Sequence, residues 1–189
     1  MKKVVLSLFA AFALFSFTAL EVANWSLDGA HSRLGFTITH MGITNISGQF
    51  SNFDVKISTP NEDFVGATIE LTAQANSVNT GLEMRDNHLK TGDFFDVEKF
   101  PTLTFKSTSV KKAKGNNYTI VGDFTMHGVT KAVSLVGVHT GSAKNRAGND
   151  VAGLQITGVV KRSDYGVGQV GPGLSDEVKL IADLEVSKN

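Results

Sequence analysis

Residues 178–186 read V-K-L-I-A-D-L-E-V, with Val178, Leu180, Ala182, Leu184 and Val186 on one face of an extended chain and Lys179, Ile181, Asp183 and Glu185 on the other. That period of two marks a strand with one dry face. The same period recurs upstream, where Leu34, Phe36 and Ile38 alternate with Gly35, Thr37 and Thr39. Ile69, Leu71, Ala73 and Ala75 likewise alternate with Thr68, Glu70, Thr72 and Gln74. Further extended segments are predicted at residues 25–28, 50–57, 102–110, 117–125, 132–140 and 153–161. Turn signals separate them at Thr59-Pro60-Asn61, Lys114-Gly115-Asn116-Asn117, Met126-His127-Gly128-Val129 and Arg146-Ala147-Gly148-Asn149.

Residues 77–101 depart from this pattern. Met84, His88 and Leu89 fall at helical spacing, with Gly92 placed to stop the helix. The run D-F-F-D-V-E-K-F at 93–100 predicts a second short helix closed before Pro101. Phe94, Phe95 and Phe100 need cover, so this crossover is expected to pack across an end of the sheet. Many strands and little helix leave a closed barrel or a two-sheet sandwich. Closure is favoured because it removes exposed edges without disulfides or covering helices. Gly122, Gly137, Gly153 and Gly158 sit inside apparent strands, where they are expected to permit coiling and to leave room for a guest.

Residues 1–23 read as a secretory signal peptide. Met1-Lys2-Lys3 precedes a run at 4–20 that is apolar except for Ser7, Ser16 and Thr18. The alternative is a membrane anchor, for which the run is marginal. A mature start between Glu21 and Trp25 leaves residues 24–189 as one exported domain. The chain has no cysteine, which excludes disulfides, zinc–thiolate sites and thiol nucleophiles. With 18 basic and 18 acidic residues, no broad basic face for nucleic acid is expected.

The five histidines form no H-E-x-x-H pair, so no metal site is expected. Asp28, His31 and Ser32, or Ser163 with Asp164, lack a G-x-S-x-G elbow, so no catalysis is expected. Gly166, Gly168, Gly171 and Gly173 lack the setting of a phosphate loop and read as a rim loop, with Tyr165 and Pro172 able to border an opening. Arg85, Asp86 and His88, and Arg162 with Asp164, are either structural pairs or the few polar contacts that orient an amphipathic guest.

Five blocks then carry a resemblance: W-S-L-D-G-A-H-S-R-L-G-F-T-I-T-H-M-G at 25–42, S-G-Q-F at 47–50, the run 77–105, G-D-F-T-M-H-G-V-T-K at 122–131 and K-R-S-D-Y-G-V at 161–167. Together they resemble the YceI-like family of periplasmic polyisoprenoid-binding proteins. The resemblance implies an eight-stranded antiparallel, lipocalin-like barrel with a short helical insertion around a long apolar cavity. It implies an isoprenoid quinone or polyprenyl lipid as ligand, with no other cofactor, and binding, storage or transport without catalysis. Leu34, Phe36, Ile38, Phe94, Phe95, Phe105, Phe124 and Leu135 are the candidate apolar contacts. Asp28, His31, Arg85, Asp86, His88, Arg162, Asp164 and Tyr165 are the candidate polar rim. Transient membrane contact and a homodimer, the latter through Ile181, stay open. So do a stress-related interaction protein with a collapsed cavity and an exported enzyme acting on a lipid head group.

Overall fold

The structure is a computed structural model that describes residues 22–60 and 63–189. The leader expected over residues 1–23 therefore lies outside the described residues apart from its last two. Ala23 already opens the first strand, opposite Thr59.

Among the described residues, eleven strand segments form one antiparallel sheet. They are β1 (Ala23–Leu27), β2 (Arg33–His40), β3 (Thr44–Phe50), β4 (Phe53–Thr59), β5 (Thr68–Gln74), β6 (Val78–Asn79), β7 (Thr102–Lys112), β8 (Asn117–Met126), β9 (Val129–Lys144), β10 (Asp150–Lys161) and β11 (Leu174–Lys188). The helix α1 (Glu83–Leu89) lies between β6 and β7. Pairing runs β1-β4-β5-β7-β8-β9-β10-β11 and returns to β1, which closes an eight-stranded barrel. β11 also pairs with β2, and β3 and β6 follow it. Thus β1 with β2, β3 with β4, and β5 with β6 are bent strands whose second halves continue the wall toward one end. At that end β6 and β7 are not paired, and the segment containing α1 occupies the gap between them.

The inward residues are those that the alternation marks. In β11, Ala182, Leu184 and Val186 are buried, and in β5 Ile69 and Ala73 are buried. The closed end is solid: Val55, Ile57 and Val186 are almost wholly inaccessible, and Trp25 packs on Phe64 at a ring separation of 5.3 Å. The Tyr118 hydroxyl donates to the Asp63 carbonyl and tethers the β4–β5 connection over this plug.

Three expectations are corrected. First, β3 was not resolved by the sequence pattern as a strand of its own, because Gly48 interrupts its inward row Thr44, Ile46, Gly48, Phe50. Glycine is required there: a Cβ at position 48 would lie 2.3 Å from Phe36 Cζ on the paired strand. Second, residues 93–100 form consecutive turns and no second helix. The Thr91 carbonyl accepts from both Phe94 and Asp96, and Asp96 adopts a left-handed φ of 45°, which interrupts helical continuation. The first helix ends at Leu89, where Thr91 Oγ1 donates to the His88 carbonyl at 2.8 Å, so threonine performs the stop expected of Gly92. Third, the strand glycines do not open space for a guest. A Cβ on Gly122 would meet Phe105, one on Gly137 would meet Ile120, one on Gly153 would meet Thr140 and one on Gly158 would meet Leu135, each within 2.7 Å. They seat neighbouring side chains against the wall.

Gly48→Ala is accordingly expected to destabilise the protein by about 1–3 kcal/mol, as overpacking does. Urea denaturation checks this, with Ser47→Ala on the exposed face of the same strand shifting stability by no more than about 0.5 kcal/mol.

Candidate functional site

The barrel interior above the plug is hollow. A chamber of about 560 Å3 opens at the end where β6 and β7 part. A second space of about 90 Å3 adjoins it on the side of the plug. Phe36, Phe50, Leu103, Phe124 and Leu180 line both and form a waist between them. The waist is held by ring contacts: Phe36 meets Phe50 at 5.8 Å, and Phe50 meets Phe95 edge-on at 5.6 Å.

Each part of the wall traces to a local rule. Phe36 and Ile38 of β2, and Val178 and Leu180 of β11, are successive inward residues of neighbouring strands. From α1 come Arg85, His88 and Leu89, which at positions i, i+3 and i+4 share one helix face. Phe94 and Phe95 enter from the turns that follow. Phe100 instead packs on His127 at 4.5 Å and anchors the end of the crossover. The chamber mouth is marked by exposed lining residues, His40, Thr44 and His88.

All eight apolar residues singled out from the sequence line the hollow. Ile38, Phe94 and Phe95 face the upper chamber, Leu34, Phe105 and Leu135 the lower one, and Phe36 and Phe124 face both. The polar eight divide. Arg85, His88 and Arg162 line the upper chamber. Asp86 stands one step behind, accepting from Thr80 N at 2.8 Å and Thr80 Oγ1 at 2.5 Å, while Arg85 Nε donates to that same Thr80 hydroxyl at 2.7 Å. Asp164 is an exposed partner of Lys131 at 3.0 Å, outside the chamber. Tyr165 is a core residue: it is buried edge-on against Phe124, and burial raises its hydroxyl pKa above the ordinary value. Asp28 and His31 belong to the β1–β2 turn beside Glu185 and line neither chamber. Sequence reasoning also left unassigned Ile46, Thr80, Leu103, Met126, Val160, Val167 and Leu174, which all line the upper chamber.

Arg162 is 3% exposed, and among the described residues it has no carboxylate within ion-pair distance. Four backbone carbonyls satisfy it instead: Ser175 from Nε at 2.9 Å, Val167 from Nη1 at 3.0 Å, and Gln169 and Leu174 from Nη2 at 2.9 and 3.2 Å. This clasp draws the β10–β11 loop over the chamber. Asp176 reinforces it by accepting from Ser163 N and Oγ, bonds that hold its carboxyl below the usual range. The chamber is therefore apolar, with two guanidinium groups in its wall, and the arrangement suits a long hydrocarbon bearing a polar end.

The group best placed to share a cation is Asp28, His31 and Glu185, with ligand atoms within 4.8 Å of one another. His31 Nδ1 is already bonded to Asp28 Oδ2 at 3.0 Å. That bond raises the His31 pKa and lowers the Asp28 pKa. The pair is stabilising between the ordinary carboxylate and imidazole ranges. It is lost as pH rises through the raised His31 value and as pH falls through the lowered Asp28 value. NMR titration is expected to show His31 above 6.5, returning toward that value in Asp28→Asn.

A closed barrel with an oily, one-ended cavity defines the class of small lipid-binding barrels. Residues 25–186 match the family described as YceI-like domain, and the chain belongs to that family. At the level of family and fold this membership supports lipid binding in the barrel cavity without catalysis. It is 36% identical over 173 residues to the UPF0312 protein SAS2572 of Staphylococcus aureus (strain MSSA476), covering 88% of this chain and 98% of the relative. The crystal structure of the Campylobacter jejuni YCEI protein superposes with a TM-score of 0.73 at 31% identity, covering 86% of this chain and 96% of that one. A polyisoprenoid binding domain from Saccharophagus degradans shares the fold, with a TM-score of 0.65 at 19% identity over 87% of this chain and 98% of that one.

Proposed function

We propose that this protein binds a long-chain isoprenoid, an isoprenoid quinone or polyprenyl lipid, and stores or carries it in the periplasm without altering its bonds. The observation that carries the reading is the pair of adjoining apolar chambers, about 560 and 90 Å3, with polar side chains gathered in the upper one. The upper volume falls within the range of about 300–1,000 Å3 typical of small-molecule sites. A chamber of this size favours binding over the alternative of a collapsed interior. The polyisoprenoid-binding relative on the same fold supports the same ligand class.

In this reading the chain supplies the affinity and the head group supplies the orientation. Each buried methylene contributes about 0.8 kcal/mol before the costs of ordering. The tail runs past the waist toward Leu135 and Phe105, and the head stays near Arg85 and His88. Arg85 spends Nε and one Nη2 hydrogen on Thr80, which leaves donors free for a carbonyl or phosphate oxygen. Arg162 contributes charge but has nearly all its donors committed to the loop carbonyls.

Native mass spectrometry of the exported protein is expected to show one isoprenoid per chain. An empty protein that also takes up neither quinones nor polyprenols would sink the reading. Ile38→Trp, which fills the upper chamber, is expected to lower uptake at least about tenfold while leaving the thermal midpoint within a few degrees. Arg85→Met is expected to weaken quinone or polyprenyl phosphate binding by about tenfold, the size of one charged hydrogen bond. Binding of a headless polyisoprenoid hydrocarbon should be unchanged, as fluorescence competition would show.

A further inference from the structure

The mouth of the chamber carries large apolar side chains that nothing among the described residues covers. Ile43 is 83% exposed, Met84 77%, Met41 62% and Val170 60%. None of the four lines the chamber, yet each adjoins residues that do: Met41 follows His40, Ile43 precedes Thr44, Met84 precedes Arg85, and Val170 lies in the loop between Val167 and Leu174. They therefore ring the opening.

The hairpin tip gives a second, independent observation. Met41 and Gly42 both take left-handed φ values, 51° and 72°, closed by a bond from Ile43 N to the His40 carbonyl at 3.1 Å. Turns of this kind favour Asn, Asp or Gly at the first central position, so methionine there does not serve the turn. The tip is also braced. Met41 N donates to the Gly173 carbonyl at 3.0 Å, joining it to the loop that Arg162 clasps and that carries Val170. A rigid tip with an outward methionine and isoleucine is built to meet an apolar medium.

We propose that this ring of residues docks on a lipid bilayer, with Met41 and Ile43 entering the acyl boundary, so that a lipid passes from membrane to chamber without crossing water. The docking proposal rests on the lipid-binding reading. Its physical reason is that moving an isoprenoid through water exposes every methylene at about 0.8 kcal/mol each, whereas contact between mouth and bilayer avoids that exposure. The four residues are uncharged and the chain has no net charge, so docking is apolar and reversible. It needs no anionic lipid.

The test uses the full domain with vesicles of phosphatidylcholine, alone or mixed with phosphatidylglycerol. In I43W the new tryptophan is expected to blue-shift on vesicle addition, equally with both compositions and at high salt, against the buried Trp25 as internal background. In the combined variant M41N/I43T/M84Q/V170S, transfer of a fluorescent isoprenoid between vesicles is expected to fall at least about tenfold. Loading of the same probe from a cyclodextrin complex should not change. Parent-like vesicle transfer in the combined variant would overturn the proposal. So would a parent that is dimeric while the variant is monomeric, since a second copy would then be what covers the ring. A parent that loads from cyclodextrin but gives no vesicle-induced shift in I43W defeats the docking alone. A vesicle-induced shift with no probe uptake from any source defeats the cavity reading and leaves the docking standing.

Discussion

The 15 residues of β11 are hydrogen-bonded to β10 along one edge, while the other edge is divided between β1 and β2. That division decides the shape of the molecule. Where β11 meets β1 the ring closes and fills with its own side chains. Where it meets β2 the wall bends outward, and β3 and β6 end without reaching β7. One end is thus a packed plug and the other a mouth, within a single ladder. Every strand of the eight-membered ring has both neighbours, and the one edge left at the hollow end is that of the two-residue β6.

The opening between β6 and β7 is filled by residues that bring the polar chemistry to the chamber. Asp86, Thr80 and Arg85 form a short relay of hydrogen bonds that fixes the guanidinium against an apolar wall. Arg162 faces it from the β10–β11 turn, held by carbonyls in place of a carboxylate. Arg162 touches no carboxylate directly, although its charge reaches Asp176, so it retains more of its field than a cation neutralised in a contact ion pair. The Asp28, His31 and Glu185 group does the opposite work near the C-terminal half of β11, where charges pair in solvent and shape a turn.

The dry face of β11 was legible because five consecutive inward positions are apolar. The face of α1 was legible only in part: Met84, His88 and Leu89 keep the helical period, yet Arg85 joins His88 and Leu89 on the chamber wall while Met84 is exposed. β3 was hidden because Gly48 leaves a gap in its inward row, and that gap exists only to accept Phe36 from β2. Such a complement between strands cannot be read from either strand alone. Tyr165 was misplaced on similar grounds: a tyrosine before a glycine-rich run has the local signature of a rim, and only Phe124, distant in sequence, makes it core. Asp28 and His31 stand three residues apart and meet across a turn, but nothing local says at which part of the barrel that turn lies.

The waist at Phe36, Phe50, Leu103, Phe124 and Leu180 makes the hollow behave as a ruler. In the lipid-binding reading, a short hydrocarbon would rest above it and disturb nothing. A longer one must press between rings that are already in contact, and Phe36 has little freedom to retreat while its ring lies over Gly48. The work of parting those rings is set against the methylenes gained beyond them. Chain length would thereby be converted into a step in affinity, fixed by where two phenylalanines from paired strands touch.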